Sequence, residues 1–198
     1  YILGKWINAE GLVYGMFNDS HVVTPDSLQF IPAFYVSCDY GTLNATVFLL
    51  WHKLHDSRWY CEKEYYYSGR KEIKHKTDAE YADDMQSFVN GISTTTIIDP
   101  SAASFIAELR KRNNRVIQAK NSVLDGIRFT ASLLNQNKLL FNPSCKETIN
   151  EFSCYRWDDT KQDDVVIKDN DHCMDAMRYF AYTTLNQNKV TATHIPRG

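Results

Sequence analysis

The stretch FYVSCDYG, residues 34–41, predicts the first strand of the fold and places an acid at its end. Side chains alternate between the two faces of a strand, so Asp39 shares a face with Tyr35 and Ser37. Gly41 then allows the chain to turn. In open α/β sheets, ligands gather outside the carboxyl ends of parallel strands. This stretch therefore predicts both a sheet and an edge at which chemistry can occur.

The elements that follow this strand predict an α/β fold. Residues 42–52 and 58–67 are rich in β-branched and aromatic side chains and predict two more strands joined as hairpins. Apolar helical periodicity then alternates with short apolar runs. Helices are predicted at about 78–90, from residues 101, 122 and 144, and at about 171–185, with strands at 94–98, 115–120 and 138–141. This order predicts a mixed sheet with an antiparallel edge, flanked by helices on both faces.

Composition excludes several classes of protein. The chain has 198 residues and a net charge of −2, which argues against a passive nucleic-acid-binding module. A metal-dependent nuclease remains compatible, because cations can meet the phosphates at an acidic site. No run approaches the ~18 apolar residues of a membrane span. The five cysteines form no C-x-x-C pair, which favours reduced thiols over a disulfide framework or a zinc site.

The two ends of the sequence suggest how the chain is organised. The chain begins at Tyr1 without a methionine or the features of a signal peptide, which favours an excised part of a longer cytoplasmic protein. Residues 1–33 are interrupted by prolines and predict an arm or linker. Residues 34–190 are expected to form the folded domain, and residues 191–198 a tail.

Three aspartates stand at positions that suit a metal site. Asp99 closes an apolar strand, as Asp39 does, so the two carboxylates would repel each other unless a cation held them. Asp175 follows Asp171 at a spacing of i, i+4 on the closing helix, and His172 falls near the same helix face. Carboxylate oxygens favour Mg²⁺ or Mn²⁺ over zinc. Two such ions roughly 4 Å apart can support phosphodiester cleavage.

Each of these residues also has a purely structural interpretation. Asp39 suits a plain turn, and Asp99 suits the entry turn of the next helix. Asp171 suits a helix N-cap, and His172 suits a surface or satisfied core position. Residue types and spacing alone leave these alternatives open.

Positive charge is concentrated just after the third predicted strand. Arg70, Lys71, Lys74 and Lys76 lie in a predicted loop beside a run of tyrosines and form a candidate surface for the DNA backbone. A solvated surface is the alternative interpretation. A second cluster at 110–115 better suits the end of a helix, where the macrodipole favours cations.

The sequence resembles the C-terminal nuclease domain of tailed-phage large terminases over nearly its whole length. Residues 37–41 (SCDYG) resemble the first acidic motif of that family, and residues 97–102 (IIDPSA) resemble the second. Residues 171–179 (DHCMDAMRY) are similar to its closing D-H-x-x-D-A-x-R-Y pattern, which is the most specific of the motifs. Residues 4–14 resemble the segment that joins the ATPase domain of the family to its nuclease domain.

The resemblance implies a ribonuclease H-like fold and cleavage of concatemeric double-stranded viral DNA by two ions of Mg²⁺ or Mn²⁺. It implies that Asp39, Asp99 and Asp175 are the catalytic, metal-binding triad. It also implies that His172 is a site histidine, either an auxiliary ligand or a group that orients Asp175. The partners implied are DNA, the ATPase domain of the same full-length chain, the small terminase subunit and the portal protein. This chain carries no G-x-x-x-x-G-K-[ST] phosphate loop, so it lacks the ATPase motif.

Two other functions remain open from the sequence. Another ribonuclease H-like nuclease, of the resolvase or transposase type, would use the same metals on a different DNA shape, and cleavage of linear duplex distinguishes the two. A non-catalytic module that docks DNA or the portal would retain the fold without activity. Metal-dependent nicking of a plasmid distinguishes that module from a nuclease.

Overall fold

The computed structural model describes residues 11–42, 44–161 and 163–186, which form a six-stranded mixed sheet with helices on both faces. The strands are β1 (Phe30–Asp39), β2 (Ala45–Leu54), β3 (Trp59–Ser68), β4 (Thr95–Ile98), β5 (Arg115–Gln118) and β6 (Leu139–Phe141). They lie in the order β5-β4-β1-β2-β3-β6. β1, β4 and β5 run parallel, β2 runs antiparallel between β1 and β3, and β6 is parallel to β3.

The predicted antiparallel edge is wrong in one respect. The opening strands β1, β2 and β3 form the centre of the sheet, because β6 pairs with the outer side of β3. β6 consists of three apolar residues, Leu139–Phe141, that are fully buried when the strand pairs with β3. Their burial favours this pairing. The sequence could not specify this pairing, since a short apolar run carries no information about which edge it joins.

Helices cover both faces of the sheet, as predicted. They are α1 (Gly69–Glu72), α2 (Asp78–Val89), α3 (Ala103–Lys111), α4 (Val123–Asn135), α5 (Lys146–Phe152) and α6 (His172–Phe180), and α6 continues into a π-helical turn at Ala181–Leu185. The apolar sides of α2 and α3 share one core with the sheet. Residues of α4, α5 and α6 share a second core on the opposite face. Among the described residues, no helix is long and apolar enough to span a membrane.

The alternation predicted for the first strand is confirmed. Val36 and Cys38 point into the core beneath α2 and α3. Ser37 points to the other face, where its Oγ accepts a hydrogen bond of 2.9 Å from Nε1 of Trp51. Asp39 has the same parity as Ser37, so it leaves the sheet on the face covered by α6.

The domain begins earlier than residue 34. β1 starts at Phe30, and Val13, Tyr14 and Phe17 are buried in the core beneath α5 and α6. Phe17 stacks on Phe152 of α5 with the ring centroids 3.8 Å apart. The described part of the predicted arm therefore packs as part of the domain. Residues 4–10 of the predicted joining segment and the predicted tail 191–198 lie outside the described residues.

Aromatic stacking fixes α6 against the sheet. Phe180 lies over Trp51 of β2 with the ring centroids 4.4 Å apart and the planes nearly parallel. Trp59 of β3 meets the same phenylalanine edge-on at 5.1 Å. Ala176 and Met177 are fully buried, as the helical periodicity predicted. Stacked aromatic rings hold the helix in one position along the sheet, which matters because α6 carries site residues.

Glutamates from other elements cap the helices on this face. At α5, the N-cap residue Cys145 makes no side-chain capping hydrogen bond. The two carboxylate oxygens of Glu64 in β3 accept instead from the backbone N–H groups of Glu147 and Thr148. At α6, Oε2 of Glu151 accepts from the N–H groups of Cys173 at 2.7 Å and Met174 at 3.1 Å. Burial raises the pKa of Glu151 to about 8, although these hydrogen bonds favour the charged form.

We expect Glu151 to make the domain less stable at alkaline pH. Because its pKa is raised from 4.5 to about 8, its contribution to stability is complete at acidic pH and is lost as the pH rises through 8. Glu151→Gln removes the charge and keeps an acceptor for α6. The melting temperature of the variant relative to the wild type is therefore expected to rise between about pH 5 and about pH 9, by on the order of several degrees. Glu72→Gln, an exposed change, serves as the control; a Glu151→Gln difference that does not vary with pH would contradict this account.

Candidate functional site

The three predicted acids lie at the same end of the sheet. Cys38 of β1 pairs with Ile98 of the parallel strand β4, so Asp39 and Asp99 leave neighbouring strands side by side. Asp175 approaches from α6, which packs on both β1 and β4. Burial raises the pKa of Tyr179, and the charges of Asp39, Asp175 and Asp99 raise it further, so this ring lies within the field of all three carboxylates.

Asp39 is held by His172. The Nδ1 atom of His172 lies 2.9 Å from Oδ2 of Asp39. Burial raises the pKa of Asp39, and the charge of Asp175 adds to this, while the hydrogen bond to His172 opposes it. Burial alone lowers the pKa of His172, but the hydrogen bond to Asp39 and the charges of Asp39 and Asp171 raise it overall. The resemblance implied that His172 is either an auxiliary ligand or a group that orients Asp175; in the structure its side-chain hydrogen bond is to Asp39.

Asp175 is anchored by a buried arginine. Arg178, whose side chain is 2% exposed, donates to Oδ1 of Asp175 from Nη2 at 2.8 Å and from Nε at 3.3 Å. Its Nη1 donates to the carbonyl oxygens of Asn121 and Ser122, both at 3.2 Å. A Cβ at Gly126 of α4 would lie 2.7 Å from Cγ of Arg178, so glycine at this position makes room for the guanidinium stem. Arg178 therefore fixes the carboxylate of Asp175 from behind.

Lys168 approaches the acids from the solvent side. Its ammonium lies 3.0 Å from Oδ2 of Asp171 and 3.1 Å from Oδ2 of Asp175. Burial lowers the pKa of Lys168, but the two carboxylates more than offset this and raise it. Asp171 occupies the N-cap position of α6 without making a capping hydrogen bond, so the predicted cap is absent. Sequence analysis missed Lys168; the only available signal was its spacing of three residues before Asp171.

Asp99 forms the entry turn of α3, which was its structural interpretation. Its Oδ1 accepts from the backbone N–H of Ser101 at 2.8 Å, as expected for the entry turn of α3. Its Oδ2 accepts from Nδ2 of Asn121 at 3.2 Å. Burial raises the pKa of Asp99, but the bonds from Ser101 and Asn121 lower it overall. The carboxylate is thus kept charged at the strand end, next to Asp39.

The predicted basic segment divides into two parts. Arg70 and Lys71 of α1 line a cleft of about 520 Å³ together with Asp39, Lys168, Asp171, His172 and Asp175. Within the described ranges, no ion pair joins either of these two cations to a carboxylate. Lys74 and Lys76 pair instead with Glu80 and Asp84 of α2, and Lys76 also lies 4.2 Å from the ring centre of Tyr67. Arg70 and Lys71 are therefore available to a ligand in the cleft, whereas Lys74 and Lys76 form ion pairs with α2.

The donor set fits a hard divalent cation. Asp39, Asp99 and Asp175 offer only carboxylate oxygens, the ligands that Mg²⁺ and Mn²⁺ prefer. The position of Lys168 is a direct sign that the acids attract positive charge. In the described parts of the chain, no three His, Cys, Asp or Glu side chains are placed as a ready metal cage. His172 engages an oxygen of Asp39, and Lys168 and Arg178 engage those of Asp175.

Comparisons with known proteins find similarity to phage large terminases. Residues 39–181 match the family described as Terminase RNAseH like domain. A stretch of 132 residues is 28% identical to the terminase large subunit of Escherichia phage T5, and covers 63% of this chain and 30% of that protein. The large terminase of a thermophilic bacteriophage, in complex with ADP, superposes with a TM-score of 0.84 at 50% identity over 93% of this chain and 48% of that one. The chain thus spans about half or less of the length of these relatives.

A further likeness concerns the fold alone. The large terminase nuclease from thermophilic phage G20c, with bound magnesium, superposes with a TM-score of 0.65 at 12% identity, over 89% of this chain and 99% of that one. This likeness and the mixed six-stranded sheet agree on a ribonuclease H-like fold. The family match covers most of the chain and includes Asp39, Asp99 and Asp175, and the chain therefore belongs to the terminase ribonuclease H-like domain family.

Proposed function

We propose that this domain is a metal-dependent endonuclease that cuts concatemeric double-stranded viral DNA during genome packaging. The observation that carries the proposal is the placement of Asp39, Asp99 and Asp175 at one end of the sheet, where Asp39 and Asp175 line a cleft together with Arg70 and Lys71. Three converging carboxylates repel one another, and a bound cation relieves that repulsion. Bound magnesium in the G20c terminase nuclease supports the use of Mg²⁺ or Mn²⁺ here.

In this proposal each side chain has a defined task. Asp39, Asp99 and Asp175 hold the cations, His172 keeps Asp39 in position, and Arg178 orients Asp175. When bound, two Mg²⁺ or Mn²⁺ ions would supply an activated water and neutralise charge on the scissile phosphate. Buried apolar side chains of β1, β4 and α6 hold in place the backbone that carries the three acids.

Arg70 and Lys71 are proposed to hold the DNA backbone. They lie in the same cleft as the acids, so a phosphate that contacts them is brought next to the cations. This assignment narrows the predicted basic segment to two of its four cations, since Lys74 and Lys76 are engaged by α2.

The partners of the longer protein are part of the same proposal. The ADP-bound large terminase of the thermophilic bacteriophage is about twice as long as this chain, and this sequence has no phosphate loop of its own. We therefore expect an ATPase domain in the same full-length protein to bring DNA to the site. The small terminase subunit and the portal protein are expected to be further partners, in the cytoplasm of the host cell.

Plasmid nicking tests the proposed activity. We expect the domain to nick duplex DNA with Mn²⁺ or Mg²⁺ and to be inactive in EDTA. Asp39→Asn and Asp175→Asn should each lower the rate by more than about 100-fold, since even residues that only support metal ligands contribute 10–100-fold. Cleavage in EDTA would exclude a metal-dependent mechanism, and unchanged rates in both variants would place the active site elsewhere.

The two variants are also expected to differ in stability. Asp39→Asn removes a buried carboxylate whose charge burial disfavours, so its melting temperature should be unchanged or slightly raised. Asp175→Asn leaves the buried Arg178 without its counter-charge and should lower stability by about 3 kcal/mol. Thermal melts in EDTA measure both effects and show whether each variant is folded during the nicking assay.

The salt dependence of DNA binding tests the basic wall. Each phosphate contact contributes about 0.9 to the slope of log K against log salt concentration, so Arg70→Ser/Lys71→Ser should reduce the slope by roughly 1–2. Affinity for all sequences should fall alike, because backbone contacts carry no sequence information. Fluorescence anisotropy across a salt series gives the measurement.

The matched control is Arg110→Ser/Lys111→Ser, which removes the same charge from the exposed end of α3. We expect its slope to stay close to that of the wild type. Equal losses in the two double variants would mean that net charge, rather than the cleft, determines binding.

A further inference from the structure

We infer that Lys168 is the internal counter-ion of the site: its ammonium occupies the oxygen of Asp175 that a divalent cation needs, so Lys168 competes with the metal and sets its affinity. The inference rests on the proposed function, because it concerns the same carboxylates. It assigns a role to a residue in the irregular segment before α6, outside the matching acidic motifs.

The argument begins with the two oxygens of Asp175. Oδ1 accepts two hydrogen bonds from Arg178, which leaves Oδ2 as the oxygen directed toward the cleft. The ammonium of Lys168 lies 3.1 Å from this Oδ2. A metal ion that takes Asp175 as a ligand must therefore bind at the atom that Lys168 contacts. Two cations cannot both sit within contact distance of one oxygen without strong repulsion.

Lys168 can leave this position, whereas Arg178 cannot. The side chain of Lys168 is 54% exposed, and that of Arg178 is 2% exposed. Arg178 is also tied to two backbone carbonyl groups beneath α6. For Lys168, the described residues show only ion pairs with Asp171 and Asp175. The arginine is thus a permanent anchor, and the lysine is a displaceable cation.

The positive charge of Lys168 also stabilises the domain when no metal is bound. Asp171, the N-cap of α6, and Asp175 are spaced i, i+4, and like charges at this spacing repel each other. Lys168 lies within 3.1 Å of an oxygen of each and offsets that repulsion. Removing its charge should therefore have two effects of opposite sign: weaker stability without metal and tighter binding of metal.

The test compares Lys168→Met, which keeps the aliphatic stem and removes the charge, with the wild-type chain. Calorimetric titration with MnCl₂ gives the metal dissociation constant, and thermal melts in EDTA give the stability of the metal-free form. We expect Mn²⁺ to bind at least about tenfold more tightly to Lys168→Met, a change in the range typical of residues that neighbour metal ligands. We expect the melting temperature in EDTA to fall. Lys168→Gln, which keeps a hydrogen-bond donor, should shift both quantities in the same directions.

Lys161→Met is the matched control, because it removes an exposed lysine from the same segment. It should change neither quantity. Unchanged or weaker Mn²⁺ binding in Lys168→Met would overturn the inference. The proposed function is judged separately by Asp39→Asn, which is expected to remain folded: loss of Mn²⁺ binding in that variant upholds the metal site independently of the result for Lys168. Absence of Mn²⁺ binding in both the wild type and Lys168→Met would overturn the inference and the proposed function.

Discussion

Arg178 carries a positive charge that is only 2% exposed, and Asp175 supplies the opposite charge that this burial requires. Much of the site depends on this pair. It can form because Gly126 leaves space for the arginine stem and because Phe180, stacked on Trp51, holds α6 at one position on the sheet. As a result, Asp175 presents a single oxygen to the edge where β1 and β4 deliver the other two acids.

The charges around this pair explain how an acidic site can exist in a folded domain. Neighbouring carboxylates repel each other, and hydrogen bonds and ion pairs from other side chains offset this repulsion. His172 contacts Asp39, Asn121 donates to Asp99, and Lys168 pairs with Asp171 and Asp175. His172, whose side chain is 19% exposed, and the buried Arg178 define where Asp39 and Asp175 point. Lys168, whose side chain is 54% exposed, is the cation at these acids that can be exchanged for a metal ion. The anchoring cation, Arg178, and the displaceable cation, Lys168, carry the same charge and differ in how deeply they are buried.

The sequence predicted those features that depend on local periodicity. The alternation of side chains along β1 predicted the face of the sheet on which Asp39 lies. The ends of the apolar runs predicted that Asp39 and Asp99 follow neighbouring strands. Helical periodicity predicted a helix at about 171–185, where α6 and its π-helical turn lie. These predictions succeeded because each depends on residues close together in the chain.

Features that depend on distant partners were not predictable in this way. The caps of α5 and α6 come from Glu64 and Glu151, each on another element, and nothing near Ser144 signals their presence. In the sequence, nothing distinguishes Lys168 from Lys161; only the folded structure places Lys168 beside Asp171 and Asp175. The position of β6 beside β3, and the different environments of Lys71 and Lys76, likewise arise only when the sheet is assembled.

Anomalous diffraction from crystals grown with MnCl₂ tests the central claim most directly, because it locates the metal without relying on activity. The account predicts anomalous peaks within coordination distance of Asp39, Asp99 and the Oδ2 atom of Asp175, with the ammonium of Lys168 moved away from that oxygen and Arg178 still on Oδ1. Manganese bound elsewhere, with the three aspartates uncoordinated and Lys168 still in contact with Asp175, would contradict it.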